Sequence, residues 1–198
     1  IVDQHAAAPF AFPLFTARPQ RGGPLYLLGV HGLTAVSHAG FALGVARRAL
    51  DELADLARTK RRLGQDLLVA GPTFQRDFAQ AEATLRSARA YVREAFGSIH
   101  RAAASDEITL EQRADIRMAT THATESAATV VGFAYRAAGS DALRNGSVLQ
   151  RCFRDVNAGT QHLFVDGKRV AVAAPGRLAP EWRLEHDPAP TATGDGVP

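Results

Sequence analysis

An all-α, up-and-down four-helix bundle is the fold this sequence predicts, and three observations predict it. Apolar residues recur at three- and four-residue steps through long stretches. Glycine, proline and capping residues punctuate those stretches. Strand-like alternation is almost absent.

Residues 1–24 carry Pro9, Pro13, Pro19, Pro24, Gly22 and Gly23. This is a poor helix and a poor central strand, so it reads as an extended lead-in, the edge of a preceding β domain. The bundle domain is expected over 25–170. From Leu25 to about Leu63 the pattern is helical, with Leu43, Ala46, Leu50, Leu53 and Ala57 on one face. Gly29, Gly32, Gly40 and Gly44 fall in the same stretch. Each costs a helix up to about 1 kcal/mol, which suggests that another backbone or a flat ligand comes close. Gly71 and Pro72 open a second helix, with proline near its first position. There Phe74, Phe78, Ala81, Leu85, Ala88, Val92, Ala95 and Ile99 keep a 4-3-4-3 rhythm, suited to antiparallel bundle packing. Thr109 with Gln112 is a capping box for a third helix, which runs to Ala138 and stops at Gly139. Its middle is rich in threonine and serine. Ser147 with Gln150 is a second box, opening the fourth helix. Past Lys168 the pattern dissolves, and residues 171–198, with five prolines among alanine, glycine and threonine, read as a disordered, mobile tail.

The chain opens on Ile1 and its one methionine is Met118, so a piece of a longer protein is expected. No basic region followed by an apolar run marks a leader, and no run of ~18 uncharged apolar residues predicts a membrane span. A single cysteine, Cys152, suits a reducing cytoplasm. The net charge of +3 comes from interspersed acids and bases, which argues against nucleic acid as a partner. The densest basic run, Arg58, Lys60, Arg61 and Arg62, lacks interleaved aromatics. It reads as a solvated helix end, the plainer alternative to a polyanion site.

Residues 151–165, RCFRDVNAGTQHLFV, carry most of the functional signal. On a helix, Arg151, Asp155, Ala158 and His162 stack on one face. Leu149, Cys152, Val156, Gly159 and Leu163 form an apolar line beside it. His162 can donate or accept a proton near neutrality. Asp155 could orient a neighbour, or simply pair with Arg151 or Arg154. Arg154 reads as an anchor to the bundle or to a neighbouring chain. His31 and His38, seven apart on the first helix, line a pocket or pack the helix, with packing the plainer reading. His122 and Cys152 read as packing residues. No third ligand at plausible spacing suggests a metal.

Three segments in order resemble the C-terminal domain of the acyl-CoA dehydrogenase superfamily. HGLTAVSHAGFALGVARRALDEL looks like its first C-terminal helix, with G-x-A-R-x-A-L-D-E. FQRDFAQAEATLRSARAYV is similar to the second. ESAATVVGFAYRAAGSDALRNGSVLQRCFRDVNAGTQH resembles the family's close, where R-x-x-R-D opens the functional helix. The resemblance implies a flavoenzyme, with FAD or FMN held between a missing β domain and this bundle, and a homotetramer built through the bundles.

Acyl-CoA dehydrogenases take a proton with a glutamate after R-D, whereas this chain has NAGTQH there. The flavin-dependent monooxygenase branch places a histidine eight residues after that arginine, which is His162. The resemblance therefore implies His162 as the catalytic residue, beside flavin and a small aromatic or apolar substrate, with a separate reductase supplying reduced flavin. Lys60, Arg61, Arg154 and Asp155 are the candidates to hold the cofactor. The family's R-x-x-F-G element is replaced by Lys60-Arg61-Arg62-Leu63-Gly64, which leaves FAD and FMN both open. An acyl-CoA dehydrogenase and a non-catalytic oligomerisation scaffold are the competing readings.

Overall fold

Small side chains decide how this bundle packs. The computed structural model describes residues 24–61, 64, 66–102, 108–162 and 165. Four helices follow in order: α1 Gly29–Thr59, α2 Pro72–Ala102, α3 Leu110–Ala138 and α4 Val148–Thr160. Among the described residues no strand forms, and one isolated bridge pairs Arg61 with Leu67. The lead-in (apart from Pro24) and the tail 171–198 lie outside the described residues, as does Leu163.

α3 packs against each of the other three helices, most extensively against α1. The end of α1 meets the end of α3 through Lys60 and Ala138, whereas the early part of α1 meets the turn after α4 through His38 and His162. α1 and α3 therefore run parallel, and α4 runs back along them. Buried Ala39, Ala42, Ala46 and Ala49 of α1, with Ala123, Ala127, Ala134 and Ala138 of α3, keep the side-chain layer thin, and helix separation follows side-chain size. Larger residues fill the space toward α2 and α4: Leu50, Leu53, Leu85, Val130, Val131, Leu149 and Val156 form one cluster. Leu28, Ala35, Ile99, Ile108 and Ile116 close the other end.

The glycines of α1 are not what brings the helices together. A Cβ added to Gly40 or Gly44 meets nothing within 4 Å, while one on Gly32 meets its own neighbour Leu28. Alanine at 3–4-residue spacing makes the approach instead. α1 is also shorter than the periodicity predicts, because 24–28 is a 3-10 turn and Lys60 is extended. With that turn, Tyr26–Thr59 is long and apolar enough to cross a membrane by length and composition, contrary to the expectation from the sequence. Its buried face is nevertheless taken up by α3 and α4.

α2 begins at Pro72 and buries Ala81, Leu85, Ala88, Ala95 and Ile99, following the predicted rhythm. α3 has both halves of its capping box: the Gln112 N–H donates to Thr109 Oγ1 at 3.2 Å, and the Thr109 N–H to Gln112 Oε1 at 2.9 Å. It ends at Gly139, whose φ of 59° an L side chain rarely adopts. For α4 only the Ser147 half forms, with Gln150 N–H donating at 3.5 Å.

Candidate functional site

α4 delivers the candidate histidine, though not on the helix itself. Leu149, Cys152 and Val156 are buried against the bundle, and Arg151, Arg154, Asp155 and Ala158 are exposed, as the two-line reading predicts. Phe153 stacks on Tyr135 with centroids 4.5 Å apart. The helix stops at Thr160, two residues before His162. Asn157 Nδ2 donates to Phe153 O at 2.7 Å and Thr160 Oγ1 to Asn157 O at 2.7 Å. Such local side-chain bonds offer the backbone an alternative to helix. The chain then tightens: Gln161 N–H donates to Ala158 O at 3.1 Å and His162 N–H to Gly159 O at 3.1 Å. His162 thus leaves the Arg151–Asp155 stripe.

The turn brings His162 to α1. The His38 and His162 rings lie 5.0 Å apart, inclined by 34°. The Phe41 ring flanks His38 at 5.9 Å and lies against Gly159 in the last turn of α4. A Cβ on Gly159 would lie 2.8 Å from Phe41 Cε1, so glycine is required there by contact. His38 is half-buried, and its Nε2 is buried with no hydrogen-bond partner. Burial, and then the neighbouring His162, push its pKa below the usual 6.5, against a hydrogen bond to the Gly159 backbone. His38 is therefore neutral at pH 7. His162 is exposed. One sheltered neutral imidazole beside an exposed one can hold or pass a proton near neutrality.

The other candidates are scattered. Lys60 is not turned to an open phosphate site: its ammonium, on a side chain only 12% exposed, donates to Asp141 Oδ2 at 2.5 Å and to Ala138 O at 2.5 Å. It ties α1 to the 3-10 turn Gly139–Leu143. Arg61 is exposed beyond α1, and Arg154 and Asp155 are exposed on α4. Asp155 forms no ion pair with Arg151 or Arg154 among the described residues, a departure from the pairing expected. Burial, and then Asp155, raise the Cys152 thiol pKa, which keeps it unreactive. His31 is half-buried on α1. His122 is exposed against Tyr91, with centroids 6.1 Å apart, so it is a surface residue and not a packing one. Phe41 and Gly159 escape sequence reasoning, since the spacing of neither announces their contact.

This bundle is found in known proteins. Indole-3-acetate monooxygenases from Pseudomonas putida and Acinetobacter baumannii are 40% and 33% identical over 62% of this chain. The chain spans about a third of the length of these relatives, 32% of each. The solved structure of XiaF from Streptomyces sp. in complex with FADH2 and glycerol superposes with a TM-score of 0.72, at 20% identity. That overlap covers 78% of this chain and 40% of XiaF, and it shows the shared fold. The family model for the acyl-CoA dehydrogenase C-terminal domain matches residues 36–167, from the early part of α1 past the end of α4, and takes in both His38 and His162. With the four-helix order and the R-D-x6-H segment in place, this match shows that the chain belongs to the acyl-CoA dehydrogenase C-terminal domain family.

Proposed function

We propose that this chain is the C-terminal helical domain of a flavin-dependent monooxygenase, which uses reduced flavin and oxygen on a small aromatic or apolar substrate. One observation carries the reading: the turn after α4 sets His162, exposed, against the sheltered His38. The names of the two curated relatives support it, and the FADH2 in the XiaF structure favours FAD over FMN.

The residues present fit a flavin on one side only. His38 Nε2 is a buried polar atom in need of a partner, and His162 beside it is exposed, so this end of the bundle suits the polar edge of a flat heterocycle. Arg61 and Arg154 are exposed cations able to meet a phosphate. Lys60 is committed to Asp141 and does not serve. When bound, reduced flavin supplies the electrons that activate oxygen. His162 orients the substrate and exchanges a proton at its imidazole.

An acyl-CoA dehydrogenase would need a carboxylate base. Asn157, which stands nearest the family's glutamate segment, is an amide whose Nδ2 is spent on Phe153 O. The assembly we read is a homotetramer through the bundles, served in the cytoplasm by a separate flavin reductase.

The test assays the full-length parent protein in two ways, with reduced FAD or FMN and oxygen on aromatic acids, and with acyl-CoA and an electron acceptor. An oxygenated product in the first supports the reading. Turnover only in the second overturns it. Arg61→Gln and Arg154→Gln should weaken flavin binding at unchanged melting temperature.

A further inference from the structure

We propose that His38 is a positioning residue for His162, the two imidazoles forming a coupled pair that ties the turn after α4 to α1. The part this pair takes in oxygenation rests on the function proposed above, but the coupling itself does not.

Three observations carry it. The rings are 5.0 Å apart although they come from opposite ends of the domain sequence. Phe41, one turn along α1 from His38, occupies the space beside Gly159, so the end of α4 is in close contact with α1 beside the histidine pair. His38 Nε2 is buried without a partner while its ring faces His162. A residue that merely filled space here would be better apolar, since a buried nitrogen without a hydrogen bond is costly.

The pair has a definite electrical character. Two imidazoles at this separation resist double protonation, because like charges this close repel. His162 is the titratable group that bears on His38, and the Gly159 backbone is its other electrostatic neighbour. His38 is the half-buried member, and burial and then the neighbouring His162 lower its pKa, which favours its uncharged form. His38 thus offers a fixed, uncharged contact against which the His162 ring is held.

The experiment follows both imidazoles by long-range proton–nitrogen NMR in this 198-residue chain across pH 4.5–8.5. The chains compared are wild type, His162→Gln, His38→Gln and His38→Leu. In His162→Gln the His38 midpoint should rise by at least about half a pH unit, a threefold gain in proton affinity. The His162 ring resonances should move in His38→Leu and return toward wild type in His38→Gln, whose amide can still bond the Gly159 backbone. A His38 midpoint within about 0.1 unit of wild type in His162→Gln, with helical circular dichroism unchanged, overturns the proposal. Indifference of the His162 resonances to both His38 variants overturns it as well. Because none of these readouts uses flavin, coupling found in a protein whose parent lacks oxygenase activity would sink the functional reading and leave the pair standing.

Discussion

The Lys60 ammonium lies 2.5 Å from Asp141 Oδ2 and 2.5 Å from the Ala138 carbonyl, binding the end of α1 to the end of α3. The carboxyl of Asp141 is held below its usual range by the hydrogen bond from Lys60, then by its charge and that of Arg144. Lys60→Met would leave the carbonyl of the buried Ala138 without its partner, a loss of roughly 1–3 kcal/mol. Urea unfolding should show it. A depressed carboxyl pKa contributes stability above the unfolded value, about 3.9, and loses it as pH falls through the folded one. Wild type should therefore lose stability over this acid range faster than Lys60→Met. Parallel acid slopes would show that the pair contributes nothing.

Gly159→Ala tests the contact that seats the turn. The new methyl group would lie 2.8 Å from Phe41 Cε1. Overpacking of this kind costs about 1–3 kcal/mol. Phe41→Leu in the same chain should recover most of the loss, because residues in contact do not add independently. A double variant whose loss of unfolding free energy equals the sum of the two single losses would remove Phe41 from the account.

How much of this was legible in the sequence divides along local and non-local lines. The α2 rhythm from Phe74 to Ile99, the Thr109–Gln112 box and the stop at Gly139 are short-range, and each is found in place. The helical face read through His162, whereas α4 stops at Thr160, where Asn157 and Thr160 turn their side chains back onto the helix carbonyls, which periodicity does not register. Lys60 reads as part of a basic run, yet its partner Asp141 comes from the turn after α3. No spacing rule links those two positions. The same holds for His38 and His162: the sequence offers two histidines on separate helices, and only the parallel and antiparallel packing of α1, α3 and α4 brings the rings together.

The threonines of α3 make a further prediction. Thr120 Oγ1 and Thr121 Oγ1 are buried without partners, while Thr124 Oγ1 donates to Thr120 O at 2.9 Å. An isosteric methyl in place of an unsatisfied hydroxyl removes a desolvation cost, of order 1–3 kcal/mol in general. Thr120→Val should therefore raise the melting temperature by a few degrees, at about 2–4 °C per kcal/mol for a domain of this size. Thr124→Val removes a made bond and should not. A fall in the melting temperature of Thr120→Val would mean that its hydroxyl is satisfied in solution.

His162 gives the most direct test of the site. It is exposed and lies past the end of α4, away from buried Leu149, Cys152 and Val156, so His162→Ala should leave the melting temperature nearly unchanged. General acid–base assistance is typically worth about 10²–10⁴ in rate. Turnover of the full-length enzyme with reduced flavin and oxygen should drop at least about tenfold, even if the imidazole only orients substrate. His162→Asn separates the two roles, because an amide keeps a hydrogen bond but does not titrate near neutrality. Proton transfer requires both variants to be slow and flattens the limb of the pH–rate profile that this group sets. Orientation alone lets asparagine recover much of the rate, with the profile unchanged. Wild-type turnover and flavin affinity in both variants would return His162 to an ordinary residue in a helix-terminal turn, and the site would have to be sought elsewhere on the bundle.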